Sequence, residues 1–286
     1  MRFSNAGVRY EAMAPPLIVG IVNITEDSFS DGGRFLLPEA AIAQAHNLIA
    51  SGADIVELGA AASNVTAGPV PPQEEIRRLD PVIAALAGSG IALSVDSCAP
   101  EVQRWALTRG LDYLNDIRGF PDPGVYTALA RAPCRLVVMH SVQSGERAEH
   151  ADLSAEQVWR RIEAFFTKRI ARLEASGIAR PRLVLDPGMG FFLSARPEAS
   201  IHVLTRLARL KQIFGLPVMV SVSRKSFLAA ITGRQDPQQR ATATLAAELY
   251  SAAHGADYIR THDPGALRDA LAVTQALCAA EDRSDR

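Results

Sequence analysis

Carboxylate and amide side chains stand at the ends of three short apolar segments of this sequence. The three residues are Asp96, Asn115 and Asp186. Their oxygens accept hydrogen bonds, so together they can bind the edge of a planar heterocycle that carries adjacent N–H groups. A carboxylate that accepts two such donors forms one of the stronger hydrogen-bonding arrangements in proteins. This group therefore predicts a polar slot for a heterocycle.

A second group of side chains at segment ends is mainly cationic. Lys225, Arg260 and His262, together with Asn23, suit a phosphate-bearing substrate. The chain has 30 basic residues but only three lysines, so the lysine at 225 needs a reason in this arginine-rich chain. The two groups together indicate a heterocycle with a phosphorylated side arm.

Each of these positions also has a purely structural interpretation. Asp96 or Asp186 could cap the following helix, and Asn23 or Asn115 could bond loop backbone, because loop ends favour Asp and Asn. The convergence of polar residues from eight segment ends favours a binding site over separate structural roles. His140 ends one segment too, and we interpret it as a satisfied interior histidine.

Eight short segments precede these residues, and their continuous apolar character is typical of strands covered on both faces. The predicted strands are Leu17–Asn23, Asp54–Gly59, Ile91–Asp96, Tyr113–Asp116, Arg135–His140, Arg182–Asp186, Val218–Ser221 and Tyr258–Thr261. The predicted helices are Pro38–Ser51, Glu74–Ala87, Pro100–Arg109, Gly124–Arg131, Ala155–Ser176, Arg196–Phe214, Arg240–His254 and Gly265–Ala280.

One strand–helix unit about every 34 residues predicts an α/β fold, a (β/α)8 TIM barrel in a single domain. The active site of such a barrel lies at the C-terminal ends of the strands, where both polar groups stand. A doubly wound open sheet is the alternative, but it usually has fewer strands, and no GxGxxG turn follows the first segment.

Composition excludes several other classes of protein. The net charge is −1, far from the basic balance of a nucleic-acid binder, and no apolar run approaches the length of a membrane span. Three cysteines without CxxC spacing indicate reduced thiols in a cytoplasmic protein. We expect residues 1–16 to form an N-terminal extension that is no secretory signal, residues 17–280 the barrel, and residues 281–286 a frayed tail.

Two segments after the first strands are suited to closing over a substrate. Asn23–Gly33 is polar and ends in glycines, and Ala60–Pro72 is rich in small residues. Loops of this kind can cover a diphosphate, hold Mg²⁺ and exclude water while a reactive intermediate forms.

Seven segments of the chain resemble dihydropteroate synthase, in that family's order and over nearly the whole chain from about Leu17 to Leu277. They are Asn23–Gly33 (NITEDSFSDGG), Ser94–Ser97 (SVDS), Asn115–Ile117 (NDI), Val138–His140 (VMH), Asp186–Gly190 (DPGMG), Ser223–Phe227 (SRKSF) and Arg260–His262 (RTH). The resemblance implies a TIM barrel, usually a homodimer. It also implies the joining of para-aminobenzoate to 7,8-dihydropterin-6-ylmethyl diphosphate, which yields 7,8-dihydropteroate and diphosphate in folate synthesis.

The resemblance also implies a role for each motif residue. The residues implied to contact the pterin are Asp96, Asn115, Asp186 and Lys225. Those implied to contact the diphosphate are Asn23, Asn64, Arg260 and His262, with Mg²⁺ bound near Asn23. Para-aminobenzoate contacts fall to Ser63, Phe191, Phe192 and Ser226. Catalysis is assigned to Asp96, Lys225, Asn23, Arg260 and His262, by positioning and charge stabilisation without a covalent enzyme intermediate.

Two segments depart from the family pattern. GGESTRP is replaced by Gly59–Val65 (GAAASNV), so Asn64 stands where the family has a diphosphate-binding arginine. GFGK is replaced by Gly190–Leu193 (GFFL), which puts Phe192 in the place of a glycine. The combination resembles the subgroup that confers sulfonamide resistance. We hypothesise that Phe192 and the altered loop admit the flat carboxylate and exclude the tetrahedral sulfonyl group. Drift in a tolerant loop is the alternative.

Two other functions compete with this prediction. A pterin-dependent methyltransferase can use a related barrel, although methyl transfer needs neither SRKS nor a loop that closes over diphosphate. A non-catalytic pterin-binding protein would keep the pterin slot, and Asn64 in place of the arginine is the feature that favours it.

Overall fold

Eight short parallel strands form one sheet. The structure is a computed structural model, and it describes residues 14–25, 37–61, 68–142 and 153–284. The strands are β1 (Leu17–Asn23), β2 (Ile55–Gly59), β3 (Ala92–Asp96), β4 (Tyr113–Asp116), β5 (Arg135–Met139), β6 (Leu183–Asp186), β7 (Met219–Val220) and β8 (Tyr258–Thr261). They pair in the order β6-β5-β4-β3-β2-β1-β8-β7. A parallel bridge between Leu185 and Val218 joins the two ends of this order, so the sheet is a nearly closed barrel and the predicted TIM barrel is confirmed.

Helices separate the strands and surround the barrel. Within the described ranges they are α1 (Pro38–Ala50), α2 (Pro72–Leu86), α3 (Pro100–Ala106), α4 (Tyr126–Arg131), α5 (Ala155–Ala175), α6 (Pro197–Leu204), α7 (Leu207–Phe214), α8 (Ser226–Thr232), α9 (Ala241–Ala253) and α10 (Pro264–Ser284). Among these described helices, none is long and apolar enough to cross a membrane.

The helix predictions were wrong at two places. One helix was predicted over Arg196–Phe214, but the backbone leaves the helical conformation at Arg206 (φ −124°, ψ 16°) and α6 and α7 are separate. α8 was not predicted either, because its seven residues are too few for a helical period to be recognised. Gly233 ends α8 in a left-handed conformation (φ 74°) that few other residues adopt.

Apolar side chains fill both faces of the barrel wall. Outward-facing residues such as Val56 and Leu58 pack under the helices in the main core, together with Val138 and Leu185. A second, smaller cluster fills the inside of the barrel near the N-terminal ends of the strands. We call it the floor, and it consists of Val19, Ile55, Tyr113, Val137, Val184, Met219 and Tyr258. Because both faces are buried, the strands read as continuous apolar runs.

Candidate active site

Polar side chains stand directly above the floor because successive side chains of a strand alternate between its two faces. Glu57 follows the floor residue Ile55 by two positions on β2, and Asn115 stands in the same relation to Tyr113 on β4. Asp186 and Arg260 likewise follow floor residues by two positions on β6 and β8. The period of two therefore turns these four side chains inward, at the C-terminal side of the barrel. We call this polar set, together with Asp96 and Lys225, the mouth.

The mouth opens into a cavity. Its lining residues are Asp96, Asn115, Ile117, Met139, Asp186, Gly188, Met189, Phe192, Ser221, Lys225 and Arg260. The fold thus brings together members of both polar groups found in the sequence, three acceptors from the first and two cations from the second. Carboxylate and amide acceptors beside cations can hold a heterocycle that carries an anionic arm.

Burial opposes ionisation of the groups in the mouth. It raises the pKa of Asp96, and the neighbouring charge of Glu57 raises it further, while Arg260 at 3.4 Å acts in the opposite direction. Burial also raises the pKa of Asp186 to about 6, against the Gly188 N–H that donates to its Oδ1 at 2.8 Å. Burial and the charge of Arg260 lower the pKa of Lys225 to about 8. The protonation of the mouth therefore responds to what binds there.

Glycine at 188 is a requirement of this geometry. Its φ is +76°, and a Cβ there would lie 2.5 Å from the His140 carbonyl oxygen. His140 is buried, and its ring Nδ1 lies 3.1 Å from the Pro187 carbonyl oxygen. Burial lowers the pKa of His140 to about 4, so the ring is neutral near pH 7. The turn that follows Asp186 is thus fixed by the conformation of Gly188 and by the contact between His140 and Pro187.

Glu57 is the mouth residue that the sequence analysis missed. The whole residue is inaccessible to solvent, and it accepts hydrogen bonds from Ser94, Asn115 and Arg260. The available signal was its type, since it is the only charged residue in the apolar segment Ile55–Gly59. A buried carboxylate is rarely tolerated without partners, so an acid in a barrel strand indicates a cation nearby.

Of the predicted diphosphate residues, Arg260 lines the cavity, whereas Asn23 and His262 are not among its lining residues. Asn23 ends β1 beside β2, where a Cβ on Gly59 would lie 3.8 Å from its Oδ1. The His262 ring Nδ1 lies 2.8 Å from the Ser223 hydroxyl. Burial, with the charges of Arg224, Arg260 and Lys225, lowers the pKa of His262 well below its usual value, so the ring is neutral. Asn64 lies outside the described ranges.

The predicted para-aminobenzoate residues occupy different environments. The ring of Phe192 lines the cavity, and the Lys225 ammonium lies 5.3 Å from the ring centroid. Phe191 is 42% exposed and is not among the residues that line the cavity, so its place beside para-aminobenzoate stays a prediction. Ser226 begins α8, and its hydroxyl lies 3.1 Å from where a Cβ on Gly190 would be. Ser63 falls outside the described residues.

Residues 19–262 match the family of pterin binding enzymes. A type-2 dihydropteroate synthase of Escherichia coli is 58% identical over 261 residues, which cover 91% of this chain and 96% of that protein. The chain belongs to the dihydropteroate synthase family. The resemblance found in the sequence is thereby confirmed, and the enzyme prediction with it.

Solved dihydropteroate synthase structures share the fold. The enzyme of Xanthomonas albilineans with 4-aminobenzoic acid has a TM-score of 0.82 at 39% identity and covers 92% of this chain and 93% of its own. The same organism's enzyme in complex with 7,8-dihydropteroate has a TM-score of 0.77 at 35% identity, with 92% and 93% covered. The barrel fold is therefore common to this chain and to those enzymes.

Proposed function

We propose that the mouth is the pterin site of the dihydropteroate synthase reaction, which condenses para-aminobenzoate with 7,8-dihydropterin-6-ylmethyl diphosphate. The observation that carries the proposal is the set of acceptors around one cavity. Asn115 Oδ1 is buried and has no hydrogen-bond partner among the described residues, and Asp96 and Asp186 supply carboxylates beside it. A pterin presents several adjacent N–H donors, so it would satisfy these acceptors together.

The cations suit the other end of the substrate. Arg260 lines the cavity beside Asp96, and we assign it to the diphosphate together with Asn23, Asn64 and His262. Lys225 lies between Phe192 and the carboxylates, so it can reach a pterin oxygen while remaining close to the incoming amine.

Mg²⁺ is the cofactor that we propose for the diphosphate. Among the described residues no cluster of three or more His, Cys, Asp or Glu side chains offers a protein cage for a metal. Mg²⁺ is commonly bound by one or two protein oxygens plus phosphate oxygens and water, so Asn23 Oδ1 with the substrate's diphosphate is a compatible donor set. When bound, the ion would neutralise charge on the leaving diphosphate.

The chemistry that fits this site is a dissociative substitution. The diphosphate leaves with the electron pair of its C–O bond, helped by the positive charge of Arg260. The pterin methylene cation that remains is stabilised by the Asp96 carboxylate, whose ionised form the cation favours. The para-aminobenzoate nitrogen then forms the C–N bond and loses a proton. Positioning and electrostatics suffice, and no protein nucleophile is needed.

Turnover separates this proposal from its competitors. We expect purified protein with Mg²⁺, dihydropterin diphosphate and para-aminobenzoate to release diphosphate and form 7,8-dihydropteroate in equal amounts. Intact pterin binding without release of diphosphate would indicate a non-catalytic pterin-binding protein. Transfer of a methyl group to or from a pterin under matched conditions would instead indicate a methyltransferase.

We further propose that the enzyme is insensitive to sulfonamides because of Phe192. Its ring lines the cavity close to the Lys225 ammonium, so it narrows the space for the substrate that carries the incoming amine. A planar carboxylate needs less depth than a tetrahedral sulfonyl group with a substituent, and a clash selects against the larger ligand.

The neighbouring phenylalanine provides a matched control. We expect Phe192→Gly to become sensitive to sulfamethoxazole, and Phe191→Gly, at the exposed ring, to keep the parent inhibition curve. Equal inhibition of Phe192→Gly and the parent would eliminate Phe192 as the discriminator.

We also propose a cytoplasmic homodimer. Late helices expose apolar side chains, with Val273 60% and Leu277 62% exposed on α10, and the described cysteines form no disulfide. Light scattering at micromolar concentration tests the oligomeric state, and a monomer there would contradict the proposal.

A further inference from the structure

Glu57 accepts hydrogen bonds on both of its carboxyl oxygens in a buried environment. Ser94 Oγ donates to its Oε2 at 3.0 Å, Asn115 Nδ2 donates to the same oxygen at 3.3 Å, and Arg260 Nε donates to Oε1. Three donors converge on a group that is entirely inaccessible to solvent. Each carboxyl oxygen of Glu57 therefore faces at least one donor, and an amide in its place would turn an NH₂ group toward one side of this set.

We infer that Glu57 is a positioning residue that fixes which atom of Asn115 faces the substrate. An amide side chain has one donor end and one acceptor end, and its orientation follows from its hydrogen-bond partners. A carboxylate can only accept, so Nδ2 must face Glu57 and Oδ1 must turn away from it. Oδ1 is the buried atom without a partner among the described residues, on a side chain that lines the cavity. The substrate edge that meets Asn115 must therefore present an N–H donor.

Glu57 also holds the guanidinium of Arg260. With Nε directed to Glu57, the Nη2 end lies 3.4 Å from Asp96 Oδ2, at the cavity wall. The planar fork of arginine is pre-organised, so fixing Nε fixes the direction of the remaining donors. One carboxylate thus orients a neutral acceptor for the heterocycle and a cation for its charged arm.

Glu57→Gln tests this role with little change in shape. The carboxamide would keep its oxygen toward Arg260 and turn its NH₂ toward Asn115, whose amide then flips and presents Nδ2 to the cavity. We expect binding of 6-hydroxymethylpterin, which lacks the diphosphate, to weaken at least about tenfold in calorimetry. The KM for dihydropterin diphosphate should rise, while the KM for para-aminobenzoate stays within about twofold of the parent value.

A double-mutant cycle shows whether the effect passes through Asn115. We expect Asn115→Ala to weaken binding of 6-hydroxymethylpterin, and the further change Glu57→Gln to cost no more than about twofold in that background. An additional tenfold loss in the double variant contradicts the inference, and so does parent-like binding by Glu57→Gln alone.

Glu248→Gln is the matched control, because Glu248 is another buried glutamate but lies on α9 outside the cavity. It should bind the pterin as the parent does. If Glu57→Gln does not fold, Glu57→Asp replaces it. Aspartate keeps an acceptor-only group but withdraws it by one methylene, so pterin affinity should fall about fivefold with para-aminobenzoate KM unchanged, and parent-like affinity overturns the inference.

The inference rests on the proposed pterin site, and the two can fail separately. Absence of 6-hydroxymethylpterin binding by the parent enzyme would overturn the proposed site itself. Parent binding that Glu57→Gln leaves unchanged would overturn only the role of Glu57.

Discussion

Four of the six mouth residues stand two positions after a floor residue on the same strand, yet the floor is apolar and the mouth is polar. Tyr113 and Tyr258 meet edge to face in the floor, with ring centroids 5.9 Å apart. Two positions further along the same strands, Asn115 and Arg260 share Glu57. Apolar burial stabilises the fold, whereas buried charges cost desolvation free energy that their partners only partly recover. Stability and catalysis are therefore placed in separate layers, and substitutions in each layer should affect different measurements.

Asp96→Asn should produce the largest loss of activity. The substitution keeps the shape of the side chain but removes the charge that stabilises the methylene cation, so turnover should fall about 10²–10³-fold. The raised pKa of Asp96 means that its ionised form opposes folding as pH rises. The free energy of unfolding at pH 8 should therefore be unchanged or higher. Steady-state turnover and urea unfolding test both parts, and a large loss of stability would break the separation of the layers.

Met219→Ala should do the reverse, because Met219 is buried in the floor, two residues before Ser221, which lines the cavity. Loss of a buried methionine side chain leaves a cavity, and the free energy of unfolding should fall by about 2–5 kcal/mol. Turnover of the folded enzyme should remain within about threefold of the parent value below the melting transition. Guanidinium unfolding and rate measurements on the same preparation decide the matter. A collapse of turnover in fully folded Met219→Ala would show that floor and mouth are coupled.

Lys225→Arg should impair turnover although arginine is this chain's usual cation. The Lys225 ammonium is a compact charge near the Phe192 ring, and burial with the charge of Arg260 lowers its pKa to about 8. A guanidinium is planar, larger and permanently charged, so we expect a loss of about 10–50-fold in kcat/KM. Lys168→Arg is the control, since Lys168 is exposed on α5 and should tolerate the change. Parent-like activity of Lys225→Arg would remove the special role of this lysine.

The comparison of layers also explains how far the sequence predicts the structure. Strand ends could be located because apolar runs stop there, and five of the mouth residues were found as strand-end polar residues. Glu57 escaped because both faces of β2 are buried, so no alternation marks which residues face the barrel interior. In such a continuous apolar segment, a single charged residue is the only indication of which alternate residues face the barrel interior.

The Phe191–Phe192 pair shows a second limit. Adjacent rings in a loop have no periodicity, and the one that enters the cavity is decided by the short 3₁₀ turn Gly190–Phe192, in which Gly190 has φ +64°. Backbone conformation of this kind depends on tertiary contacts such as the hydrogen bond from the Gly190 N–H to Ser200 Oγ at 3.0 Å. The sequence identifies the pair of rings but not the one that lines the cavity.

Glu248→Gln should have the smallest effect on turnover, because Glu248 lies on a surrounding helix and not in the floor or the mouth. Glu248 on α9 is buried, and its carboxyl group forms a hydrogen bond with Thr261 of β8. Burial raises its pKa to about 8, so the native state holds this proton more tightly than the unfolded chain does. The protonated carboxyl group therefore contributes its full stabilisation of the native state below the unfolded pKa of about 4.5, and this stabilisation is lost as pH rises through about 8. Glu248→Gln cannot ionise, so its free energy of unfolding should match that of the parent near pH 4.5 and increasingly exceed it as pH rises from about 4.5 to about 9. Melting temperatures across this range provide the measurement. If the melting temperatures of Glu248→Gln and the parent change in parallel with pH, Glu248 titrates alike in the native and unfolded states. A drop in turnover at pH 7 would show that α9 is coupled to the mouth through Thr261.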